Sequence, residues 1–111
     1  SLRELKPSTR QRFVGISFDY PSEGDEITIV ETESGCDSST AKKLVAIGKK
    51  IRQLTELSLM ESVSTRLLIS AAKLIQSGIP PRLACLSAIA EPLTDEPEAS
   101  AALKQLVEIS I

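Results

Sequence analysis

In Ser64-Thr65-Arg66-Leu67-Leu68-Ile69 a guanidinium stands in the first turn of what the pattern reads as a buried helix. The orphan N–H groups at a helix N-terminus already make that end electropositive, so a cation there is mildly unfavourable unless an anion sits beside it. Arg66 in that position points to a phosphate. A second pair of guanidiniums, in Arg10-Gln11-Arg12-Phe13, lies just ahead of an alternating apolar segment. Nothing between these two places reads as a catalytic centre. The chain has no histidine, hence neither a Ser-His-Asp nor a Cys-His pair. The acidic run Asp25, Glu26, Glu31 and Glu33 is better explained by exposed helical faces than by paired catalytic carboxylates. No Gly-x-x-x-x-Gly-Lys-Ser/Thr loop is present, so the chain does not itself cradle a triphosphate. The expectation is a part that touches a nucleotide held elsewhere. Each arginine also has an ordinary alternative: Arg66 as a solvated helix residue, and Arg12 as the partner of a carboxylate across a sheet.

The elements that would position these side chains follow from composition and periodicity. With 111 residues and 12.0 kDa, one core is expected. The apolar content of 41% is aliphatic and the aromatic content only 3%, which favours packed helices. Val14, Ile16 and Phe18 alternate with Gly15 and Ser17, the two-residue period of a strand, and Tyr20-Pro21 stops it. A single strand needs sheet neighbours, and the remaining sequence supplies none. The abrupt charged start, Ser1 to Gln11, predicts a sequence that continues upstream.

Five helices are expected after Pro21. Ser22 caps the first, with Asp25 and Glu26 in its opening turn, Ile27 and Val30 on one side, and Ser34-Gly35 at its end. In the second, Ala41, Leu44, Val45, Ile51 and Leu54 face the core and Lys42, Lys43, Lys49 and Lys50 face solvent. Thr55 to Val63 form a connection. The third carries Leu67, Leu68, Ala71, Leu74 and Ile75 up to a left-handed cap at Gly78. Pro80-Pro81 opens the fourth, with Leu83, Ala84, Leu86, Ala88 and Ile89, and Glu91-Pro92 ends it. Asp95 with Glu98 reads as a capping arrangement for the last, whose stripe is Ala99, Ala102, Leu103, Leu106 and Val107. The fold class is therefore mainly α, a small bundle of about five helices preceded by one β-strand.

Charge and cysteine usage narrow the partners. Thirteen basic and fifteen acidic residues give a net charge of −2, so phosphate recognition has to be local. The lysines of the second helix could suggest nucleic-acid binding, but Glu56, Glu61 and the net charge argue against a continuous basic stripe, and stacking aromatics are nearly absent. No apolar stretch approaches a membrane span and the first residues lack a signal-peptide core, so a cytoplasmic location is expected. Cys36 and Cys85, without histidine, build no ordinary zinc site; free thiols are the expectation, with a disulfide left open.

Several of these segments together carry a resemblance. Arg10-Gln11-Arg12-Phe13, Phe18-Asp19-Tyr20-Pro21, Glu33-Ser34-Gly35, Ser64-Thr65-Arg66-Leu67-Leu68, Ala84-Cys85 and Glu91-Pro92-Leu93-Thr94-Asp95 occur in the order found in the C-terminal part of the CbbQ/NorQ/NirQ ATPases, of the MoxR branch of the AAA+ class. The chain resembles that region over nearly its whole length. The resemblance implies that residues 1–21 are the C-terminal edge of an α/β ATPase core and residues 22–111 its helical lid. It further implies that Arg66 is the sensor-2 arginine, contacting ATP bound by its own subunit. Arg12 would then be the arginine finger offered to ATP of the adjacent subunit, with Arg10 the second choice. ATP and Mg would belong to the parent protein, and this chain alone would bind neither. Implied partners are the rest of the ATPase chain, neighbouring subunits of a hexameric ring, a von Willebrand factor A domain protein and a client enzyme of the Rubisco or nitric oxide reductase type. The alternative is a stand-alone helical adaptor with no nucleotide role, and a P-loop upstream of Ser1 in the gene discriminates the two.

Overall fold

Ser22 starts the first helix by accepting the Asp25 N–H at 3.2 Å, and Gly35 ends it at φ 78°, a left-handed conformation that costs other residues a Cβ clash. The computed structural model describes residues 20–54 and 62–111. After α1 (Glu23–Ser34), the Asp37 carboxylate caps α2 (Ser38–Arg52) by accepting the Thr40 N–H at 2.8 Å. Bonds from the Thr40 side chain and backbone hold that carboxyl below the usual aspartate range.

Ser64 caps α3 (Thr65–Gln76). At its far end Gly78, at φ 103°, completes a Schellman closure: the Gly78 N–H reaches the Ile75 carbonyl and the Ile79 N–H the Leu74 carbonyl, both at 3.0 Å. Next come α4 (Pro81–Cys85), a π-helical turn (Leu86–Ala90) and α5 (Glu91–Leu93), which run on as one rod. The last helix is α6 (Pro97–Ser110).

Five helical rods are thus present among the described residues, and no strand. The alternating segment Val14, Ile16 and Phe18 lies outside them, as does most of the Thr55 to Val63 connection. Two boundaries differ from those the sequence predicts. Glu91-Pro92 does not end the fourth helix. Pro92 lacks an N–H and its ring opposes the carbonyl four residues back, yet the rod continues because the turn just before it is widened, with the Glu91 N–H bonding Leu86 five residues earlier. The break comes at Thr94, whose backbone is fully extended and whose hydroxyl accepts the Glu96 N–H at 3.0 Å. Asp95 and Glu98 accordingly form no capping box. Glu96 occupies the cap position without a side-chain bond, and the preset φ of Pro97 begins α6.

α3 is the hub, packing on α1, α2, α4 and the π turn, while α6 closes the bundle against α2 and that turn. The core is aliphatic, as its composition dictates. Leu44, Ile47 and Ile51 of α2 meet Leu68, Ala71 and Ala72 of α3, with Cys85, Ile89 and Leu93 from the rod and Leu103 and Val107 from α6. Ile47 and Gly48 join the core face of α2 beside the positions its periodicity marks. Leu83 of the rod is 52% exposed, not a core residue. Gly48 is buried where α2 and α3 approach closely: a Cβ there would stand 3.2 Å from both Leu68 methyl groups. Cys36 and Cys85 are buried free thiols, and burial pushes the Cys85 thiol up to about 11. No helix among the described residues is long and apolar enough to cross a membrane.

One member of the acidic run departs from the exposed faces expected of it. Asp25 and Glu33 are exposed, but Glu26 is 1% exposed and belongs to the interior. A buried carboxylate survives only with dedicated partners. The Arg52 guanidinium meets it with two parallel bonds of 2.8 and 2.7 Å, and the Thr65 hydroxyl donates a third of 2.8 Å. Burial alone would raise the Glu26 carboxyl; the bonds from Arg52 and Thr65 outweigh it and hold the group below the usual glutamate range. One carboxylate thereby joins α1, the end of α2 and the start of α3.

Glu26→Gln leaves the Arg52 charge buried without its counter-ion, and thermal denaturation is expected to show a loss of about 3 kcal/mol at neutral pH. Because the folded-state pKa of Glu26 is depressed, its contribution is complete above the unfolded glutamate value of about 4.3 and is lost as pH falls through the lower folded value. The gap between the wild-type chain and Glu26→Gln therefore narrows on acidification below that pH; a constant gap would contradict an ionic pair. Gly48→Val, with γ-carbons directed into the space held by Leu68, is expected to lower stability by roughly 1–3 kcal/mol in the same assay.

Candidate functional site

Arg66 is the second residue of α3, and the first turn decides where it points. Ser64 has extended backbone (φ −83°, ψ 160°) and its hydroxyl accepts the Leu67 N–H at 3.4 Å, a long and weak cap. Thr65 turns inward to Glu26, and Leu67 and Leu68 are buried. With about 100° between successive helical residues, these neighbours leave Arg66 on the outer side, where it is exposed. No acidic residue occupies the first turn of α3, and Arg66 forms no ion pair with a described carboxylate. A guanidinium with no partner among the described carboxylates and the positive end of a helix thus face solvent together, the arrangement that suits a phosphate oxygen.

Behind this face lies a network built around Arg52. Besides its fork on Glu26, Arg52 donates from Nε to the Val63 carbonyl at 2.9 Å, and its guanidinium carbon lies 3.8 Å from the centroid of the Tyr20 ring. The Tyr20 hydroxyl is hydrogen-bonded to Ser62. With side-chain exposures of 12% for Arg52 and 2% for Glu26, this pair works in a low-dielectric setting where each bond counts for more. The Lys49–Glu23 pair, 60% and 61% exposed, contributes little by comparison. Tyr20, expected only to stop a strand, is instead a stacking partner at the edge of the bundle.

Of the three arginines that the sequence singles out, the structure places Arg66 at the start of α3 as its motif suggests. Arg10 and Arg12 lie outside the described residues. The joint role of Glu26, Arg52, Thr65 and Tyr20 is not apparent from sequence. One signal does point to Glu26: it precedes Val30 by four residues, so the face that buries Val30 must bury Glu26 as well. Arg52 carries a comparable mark, following Val45 by seven residues and Leu44 by eight, so it falls on the buried face of its helix although the lysines around it suggest solvent.

Comparison with known proteins places this architecture. Residues 26–110 match the family described as CbbQ/NirQ/NorQ C-terminal. The chain is 50% identical over 110 residues to the denitrification regulatory protein NirQ of Pseudomonas aeruginosa, covering 99% of this chain and 42% of that protein. It is 46% identical over 104 residues to protein CbbQ of Hydrogenophilus thermoluteolus, covering 94% of this chain and 39% of that one. Against protein NorQ of Paracoccus denitrificans it is 46% identical over 105 residues, 95% of this chain and 39% of the relative. The chain therefore spans about two-fifths of the length of the curated relatives it matches. The family match takes in every helix from Glu26 to the end of α6, including the buried carboxylate and the first turn of α3, and the chain belongs to the CbbQ/NirQ/NorQ C-terminal family.

Proposed function

We propose that this chain is the lid-bearing C-terminal part of an AAA+ ATPase of the MoxR branch, which couples ATP binding and hydrolysis to the activation or maturation of a client enzyme. In this reading residues 22–111 form the lid and residues 1–21 the edge of the α/β core. The observation that carries it is the exposed Arg66, held at the electropositive start of α3 with no described carboxylate to neutralise it, in a chain of this family. The word regulatory in the name of the NirQ relatives supports a role exerted on another protein.

The residues present fit a triphosphate approached from one side. A guanidinium beside a helix N-terminus supplies a planar donor fork that stays charged when water is excluded. Bound ATP with its Mg, held by the parent's core, would supply the phosphoryl group to be transferred. Arg66 acts in cis as sensor 2, fixing the lid against the nucleotide side. Arg12 acts in trans as the arginine finger, with Arg10 as second choice, and that role requires a ring of subunits. Further partners are a von Willebrand factor A domain protein and a client of the Rubisco or nitric oxide reductase type, in the cytoplasm.

In the full-length parent, Arg12→Ala is expected to lower kcat by about a thousandfold, the scale on which a finger stabilises charge on a transferring phosphoryl group. Arg66→Ala is expected to weaken ATP binding and slow turnover in steady-state ATPase assays. The 111-residue chain alone should hydrolyse no ATP. Unaltered hydrolysis in both parent variants would overturn the assignment.

A further inference from the structure

The Ser64 cap is too long, at 3.4 Å, to fix the first turn of α3 firmly, and helix ends fray unless something else holds them. The stronger tether is the 2.8 Å bond from the Thr65 hydroxyl to the Glu26 carboxylate. Thr65 immediately precedes Arg66, so the rotational setting of one dictates the direction of the other. On its opposite side the same carboxylate is gripped by Arg52, and the Arg52 guanidinium is stacked on Tyr20 and bonded to the Val63 carbonyl. Tyr20 is the first of the described residues, and its hydroxyl is bonded to Ser62, two residues before the cap.

We infer that Tyr20, Arg52, Glu26 and Thr65 form a relay of positioning residues that sets the direction of Arg66. The inference rests on the proposed phosphate contact of Arg66. None of the four touches the nucleotide. Their effect is to fix the aim of Arg66, because rotating the first turn of α3 strips a partner from a buried charge pair.

The test uses the full-length ATPase titrated with Mg and a slowly hydrolysed ATP analogue, with melting curves in parallel. Thr65→Val removes the hydroxyl and keeps the shape; Thr65→Ser restores the bond. Tyr20→Leu removes the stacking from the partly exposed end of the relay and serves where Thr65→Val fails to fold. Each is expected to raise Kd roughly three- to tenfold, with the melting temperature within about 5 °C of wild type and the serine variant near wild-type affinity. When either is combined with Arg66→Ala, the double variant should bind no more weakly than Arg66→Ala alone, since the relay acts only through that guanidinium. Wild-type affinity in Thr65→Val and Tyr20→Leu alongside weakened Arg66→Ala, or fully additive losses in the double variants, would overturn the relay and leave the proposed function standing. Wild-type affinity in Arg66→Ala itself would instead overturn the phosphate role on which the relay depends.

Discussion

The bidentate pair between Glu26 and Arg52 is the constraint around which this bundle is arranged. Taking two opposite charges out of water costs more than their attraction returns, unless every remaining donor and acceptor is also served. Here the surplus capacity is used: Thr65 on one carboxylate oxygen, the Val63 carbonyl on Nε, and the Tyr20 ring against the guanidinium plane. An aliphatic pair of equal volume would fill the space at lower electrostatic cost. It would not fix the rotational setting of α3, because dispersion contacts are non-directional while these bonds are not.

The relation between interior and surface follows from that directionality. α3 lies at the centre of the bundle, and its amphipathic stripe of Leu67, Leu68, Ala71 and Ala72 decides which side faces inward. A stripe alone leaves a helix free to shift by small rotations. The inward bond of Thr65 removes that freedom at the one turn where a cation meets the helix dipole. Close packing of Gly48 under Leu68 restrains the same helix further along. A surface arginine gains a defined bearing from groups that are themselves buried.

Much of this architecture is legible in the amino-acid sequence. Three-and-four spacing marks the five helices, and the residues that punctuate them behave according to their chemistry: Ser22, Asp37 and Ser64 at N-termini, Gly35 and Gly78 in left-handed turns. The departures share a cause. Local chemistry makes Pro92 a stop, but a widened turn upstream accommodates it, and only tertiary packing decides whether that accommodation is worthwhile. The Asp95-to-Glu98 spacing fits a cap, while Pro97 sets the boundary two residues later. Carboxylates usually lie outside, which makes Glu26 read as a surface residue; its partner stands 26 positions away, beyond the reach of any local pattern. The first turn of α3 announces a place for Arg66, yet what aims that side chain lies on other helices.

Cys85 sits in the wall of the core with its proton held tightly, its pKa pushed up to about 11. At neutral pH almost none of it is thiolate, and electrophiles attack thiolates. Alkylating reagents should consequently meet an unreactive sulfur for as long as the rod stays docked on its neighbours, and a reactive one once it swings away. The fold thus carries an internal stopwatch: the labelling rate of a single sulfur records how often the bundle opens.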